Sequence, residues 1–165
     1  MGDLEPVAPR TEEARQSPSR ASHGFQLGPI RVDVNGRAAH EAEDTWDATW
    51  LSVTATCAVA GARVVVPDTV VTSWSVERFC GALDVLARTG VGCAYLAAEA
   101  PNLTIRVEAR QPDAPIMARI ELTVDCAGQG HWFAFPIDRT GLAVAIARCR
   151  EILQAYPTHQ VADHD

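Results

Sequence analysis

The sequence predicts an α+β fold: a mainly antiparallel β-sheet meander with two amphipathic helices packed on it, in a single domain. Three observations predict it. Apolar and polar residues alternate at period two over several stretches separated by short turn sequences, as in strands with one solvated face. Two other stretches repeat apolar residues at i, i+3, i+4 and i+7, as in helices with one buried face. The order is strands, helix, strands, helix, and long strands joined by short turns form an antiparallel meander. Two helices laid on such a sheet bury both apolar faces.

Taken in order, residues 1–24 are rich in Pro, Ser, Arg and Glu without apolar periodicity and read as a disordered leader. The folded domain is expected over 25–157, with a second disordered tail over 158–165. The first strand is expected at Ile30 to Val34, followed by Asn35-Gly36 as a turn. Arg37 to Trp46 is irregular and acidic. From Thr49 the alternation returns, with Leu51, Val53, Ala55 and Cys57 on one face and Ser52, Thr54 and Thr56 on the other. Ala60-Gly61 turns the chain into Arg63 to Val71, broken or bulged at Pro67. Ser73 or Ser75 can cap a helix whose buried face is Val76, Phe79, Cys80, Leu83, Leu86 and Ala87, and Gly90 stops it. Strands follow at Gly92 to Ala98, Leu103 to Ala109, Ile116 to Val124 and His131 to Ile137. Asp138 or Thr140 can cap the last helix, whose apolar stripe runs from Leu142 to Tyr156 before Pro157 ends it. No internal repeat is visible.

Composition narrows the function. The apolar fraction of 47% is enough for a real core, and no apolar run approaches the roughly 18 residues that a bilayer span needs. Neither a signal nor an anchor is read at the N-terminus, so a cytoplasmic location is expected and no membrane partner. The net charge of -7 argues against nucleic acid, which would want a basic face, and is compatible with a basic protein partner. All bases are Arg, which a GC-rich coding bias explains most simply. Cys57, Cys80, Cys93, Cys126 and Cys149 are scattered singly in apolar patterns and read as reduced core residues, not zinc ligands or disulfides.

Chemistry-bearing patterns are sparse. A phosphate-binding Gly loop, a His-Glu-x-x-His helix and a Gly-x-Ser-x-Gly elbow are all missing from the sequence. A Cys126–His131 nucleophile pair lacks an orienting third group. The strongest feature is the acidic cluster Glu41, Glu43, Asp44 and Asp47, with Trp46 inside it. Asp44 and Asp47 could share a proton or a cation, yet the alternating ligands, central Gly and closing Glu of a calcium loop are missing. A solvated loop at the sheet edge is the plainest reading of the cluster. Charge mixed with an aromatic also suits a protein interface, so Glu41, Glu43, Asp44, Trp46 and Asp47 are the candidate partner-binding residues. No catalytic residue, cofactor or metal is expected. Two alternatives stand beside a binding protein: a small ligand- or metal-using enzyme built on the 41–47 cluster, and a non-catalytic adaptor module.

One resemblance sharpens this reading. Asp44-x-x-Asp47-x-x-Trp50-Leu51, the strand pair after it, the helix Ser75 to Arg88, the corner Glu99-Ala100-Pro101-Asn102-Leu103 and the closing helix ending in Tyr156-Pro157 come in the order seen in WapI-type immunity proteins of bacterial polymorphic toxin systems. The chain resembles that family over roughly Ile30 to Pro157. It departs at Thr49, where the family tends to have Asn, and at Ala100, which splits the Glu-Pro-x-Leu corner. The resemblance implies an antitoxin that binds a cognate toxin domain, often a nuclease, and blocks it without catalysis.

Overall fold

The computed structural model describes residues 23–38, 49–125 and 128–158. Eight strands and two helices follow in the order β1 Gly24–Leu27, β2 Ile30–Arg37, β3 Trp50–Val59, β4 Ala62–Thr72, α1 Ser73–Thr89, β5 Gly92–Ala97, β6 Leu103–Ala109, β7 Ile116–Asp125, β8 Gln129–Ile137 and α2 Arg139–Ala155. All pairings are antiparallel, and the fold is the α+β class expected. The strands divide into two sheets of four, β1-β2-β3-β4 and β5-β6-β7-β8, each a simple meander.

Local chemistry explains the elements. In β3 the period-two alternation buries Leu51, Val53, Ala55 and Cys57 completely and leaves Ser52, Thr54 and Thr56 half-exposed. Pro67 cannot donate to a ladder, and the register between β3 and β4 shifts there, with Asp68 in the left-handed region at φ 51°. The Asn35-Gly36 pair does not turn the chain. It lies inside β2, where Asn35 is the extra residue of a bulge and the ladder resumes at Gly36 (φ 143°) opposite Ser52. The turn is instead Gly28-Pro29, which precedes β2 and reveals β1, a strand the alternation did not show. Gly28 has φ 55°, and a Cβ there would lie 3.0 Å from the Phe135 ring of β8.

The α1 cap also differs from expectation. Thr72 is the N-cap, its hydroxyl accepting from the Ser75 amide at 3.0 Å while the Ser75 hydroxyl accepts from the Thr72 amide at 3.1 Å. Ser73 is fully buried and its hydroxyl has no partner among the described residues. Gly90 ends the helix at φ 72°, as expected. Asp138 caps α2, accepting from the Gly141 amide at 2.5 Å.

A pseudo-twofold relation organises the two halves. Each is a four-stranded meander followed by a helix. The buried residues Val76, Phe79, Cys80, Leu83 and Leu86 of α1 match Leu142, Ala145, Ile146, Cys149 and Ile152 of α2 position for position. The Ala58 amide donates to the Pro29 carbonyl at 3.1 Å, and the Thr123 amide donates to that of Asn102 at 3.0 Å in the matching place. α1 packs against β5 and α2 returns to pack against β1, so each half lends its helix to the other's first strand. The helices meet at equivalent positions, where the Cys80 Sγ lies 3.8 Å from the Ile146 carbonyl. Asp84 ties them at the surface, accepting from Arg88 at 3.1 Å and from Arg150 at 3.0 Å.

One continuous apolar core results, drawn from both sheets and both helices. The corner at Glu99–Asn102 fastens the second sheet to β4. The Glu99 amide donates to the Val70 carbonyl at 2.8 Å, and the buried Thr69 hydroxyl bonds the Asn102 side chain. Cys57, Cys80 and Cys149 lie in the core as expected, and burial pushes their thiols above the ordinary range. Cys93 is a correction: it is exposed on β5, because the alternation of that strand puts Ala94 and Leu96 inside. Cys126 lies outside the described residues.

Candidate partner-binding interface

The acidic stretch lies on the connection between β2 and β3, residues 38–49. Its counterpart in the second half is the β6–β7 connection, residues 110–115, half as long. One half therefore carries an elaborated connection where the other has a short one. Glu41, Glu43, Asp44, Trp46 and Asp47 all lie outside the described residues, so the interface is described from its base.

The base is firmly built. The Ala38 amide donates to the Trp50 carbonyl at 3.0 Å, closing the connection at its root. Thr49 is buried, and Trp50 begins β3 half-buried with Leu51 fully inside, as the alternation requires. Beyond the β2 bulge, Arg37 lays its guanidinium over the Tyr156 ring, 5.9 Å from the centroid, at the end of α2. His23 stacks edge-on against the same ring at 5.7 Å. Two donors at this base, Arg37 Nη1 and Trp50 Nε1, are buried without an acceptor among the described residues. The base thus gathers a cation, an indole and a phenol from three separate parts of the chain.

Charge is distributed unevenly. The described residues hold eleven Arg and eleven Asp plus Glu, so they are together neutral. The whole net charge of -7 belongs to residues 1–22, 39–48 and 159–165. Of these, 39–48 carries four acids and no base, the largest share in any of the three.

Sequence reasoning missed a second surface, the outward face of the β5–β8 sheet. The ladder sets Tyr95, Arg106, Arg119 and Ala134 in one row and Ala97, Thr104, Glu121 and Trp132 in the next. Trp132 is 78% exposed and Tyr95 57%. Arg106 and Arg119 are directly opposite, a like-charge pair eased by Glu108, which lies 2.8 Å from the first and 4.0 Å from the second. The hydrogen bonds that Arg106 donates to Glu108 hold its guanidinium above its ordinary pKa. The matching face of the first sheet carries the hydroxyls of Ser52, Thr54 and Thr56 beside the Arg31–Asp33 pair, with Asn35 donating to Ser52 at 3.2 Å and to Thr54 at 3.1 Å. The signal for the second face was present in the strand alternation, since Trp132, Ala134 and Pro136 share one phase.

A polar groove also lies between β1, β2 and α2, lined by Gln26, Arg31, Asp33, Val144 and Arg148. Its cations are already paired. Arg31 donates to both oxygens of Asp33 at 2.8 Å, and Arg148 to Glu151 at 2.7 Å. Among the described residues no group of three or more His, Cys, Asp and Glu could hold a metal ion, and no helix is long and apolar enough to cross a membrane.

No curated protein matches the chain. Against protein families the result is specific: the model of the immunity protein WapI-like family matches residues 21–157, and the chain belongs to that family.

Proposed function

We propose that the chain is an antitoxin that binds the toxic domain of a cognate polymorphic, contact-dependent toxin in the cytoplasm and blocks it without catalysis. Contact is made through Glu41, Glu43, Asp44, Trp46 and Asp47 on the elaborated β2–β3 connection. The observation that carries this reading is the placement of charge. A neutral scaffold bears its densest acidity on a connection twice as long as its counterpart. A toxin domain with a cationic substrate groove, as a nuclease has, is the complement to such a segment, and opposite fields of this kind steer encounter. Trp46 supplies the aromatic anchor that interface centres favour.

Association kinetics with a cognate toxin domain test the assignment. Asp44→Arg with Asp47→Arg is expected to slow association about tenfold or more at low ionic strength. The gap should narrow as salt rises, because exposed charges are screened beyond about 10 Å at 0.1 M. Asp44→Asn with Asp47→Asn is expected to fall between wild type and reversal. Unchanged association after reversal would remove these residues from the interface.

A further inference from the structure

Each sheet ends in two edge strands, and an open edge pairs with other chains unless something blunts it. Three of the four edges here are blunted. α2 packs against β1 and α1 against β5. β4 carries Arg63, Pro67 and the bulge at Asp68, and its far end is closed by the bond from Glu99 to Val70. β8 is different. Among the described residues its one strand partner is β7, and Gly28 of the β1–β2 turn lies against its end at Phe135 and Ile137. From Gln129 to Ala134 it has no Asp, Glu, Lys, Arg or Pro. It also carries Trp132, the most exposed large apolar residue among those described.

We propose that β8 pairs antiparallel with β8 of a second copy of this chain, about a twofold axis at Trp132, joining two β5–β8 sheets into one continuous sheet. The occupant is a second copy because the strand is complementary to itself. Centred on Trp132, the pairing sets Trp132 against its own mate, His131 against Phe133, and Gly130 against Ala134. No like-charged pair arises anywhere along it, whereas self-pairing of β4 would bring Arg63 and Asp68 into play on a bulged strand. Opposed aromatics are among the stabilising cross-strand pairs, and this one covers the exposed indole. One open edge among the described residues also ends the association at two, because an isologous contact uses the same strand on both sides.

Sedimentation equilibrium of the full chain over about 1 to 100 µM tests this. Wild type is expected at twice 17.7 kDa. Trp132→Lys, which places two like charges face to face across the axis, is expected to raise the dimer dissociation constant at least about tenfold. Trp74→Lys, at an exposed indole on α1, is expected to leave the dimer unchanged. Three results overturn the proposal: a wild-type monomer at about 100 µM, a Trp132→Lys dimer as tight as wild type, or assembly only when the toxin domain is added, which would give this edge to another protein's strand.

Discussion

Phe79 offers the sharpest test of how α1 packs into the core. It is fully buried on α1, and its ring lies 5.8 Å from that of Phe25 on β1, tilted by 42°. The matching residue on α2 is Ala145, so a large side chain on one helix answers a small one on the other. Phe79→Ala removes a whole ring from the core, a change that costs about 3–5 kcal/mol in comparable cores. That is a fifth or more of the roughly 5–15 kcal/mol that holds a domain folded. With a urea dependence of about 2 kcal/mol per molar, the unfolding midpoint should fall by about 2 M. Phe25→Ala should couple to it, since rings at this separation contribute about 0.5–1.5 kcal/mol beyond area burial, and a double-mutant cycle reads that term. A loss below about 1 kcal/mol for Phe79→Ala, or additive single changes, would refute the packing of Phe79 against Phe25 in the core.

Two other predictions concern the helix start and the thiols. Thr72→Ala should cost about 1 kcal/mol because it removes the N-cap, whereas Ser73→Ala should be neutral or stabilising because it deletes a buried hydroxyl without a partner; thermal or urea unfolding separates them, and equal losses would contradict the cap. In a Cys126→Ser background, Cys93 should react with an aromatic disulfide reagent at once at pH 8. Cys57, Cys80 and Cys149 should react only after unfolding, since burial both shields their thiols and disfavours the thiolate; more than one fast thiol would count against the core as described.

Much of the fold was legible because alternation and helical periodicity report burial directly. β3, β6 and β7 bury the residues their phase selects, and both helices bury the stripe their spacing defines. β1 was hidden because four residues with only Phe25 and Leu27 buried are too short a pattern. Asn35-Gly36 misled because a positive φ serves a bulge as well as a hairpin, and local sequence does not say whether the ladder continues beyond it. The division into two sheets depends on long-range pairing, which no local pattern encodes. The pseudo-twofold relation escaped notice because it preserves polarity and not identity: Phe79 answers Ala145, and Leu83 answers Cys149. The candidate contact residues came from composition, which locates charge along the chain, while the outward face of the second sheet needed strand register to gather Tyr95, Arg106, Arg119 and Trp132.

Growth rescue tests the central claim most directly. Cells producing the cognate toxin domain should grow when wild type is co-expressed. They should fail to grow when Glu41, Glu43, Asp44 and Asp47 are all replaced by Arg, although that variant keeps the wild-type urea midpoint. Wild type that gives no protection would contradict the antitoxin assignment, and a reversed variant that protects equally well would contradict the acidic connection as its contact surface.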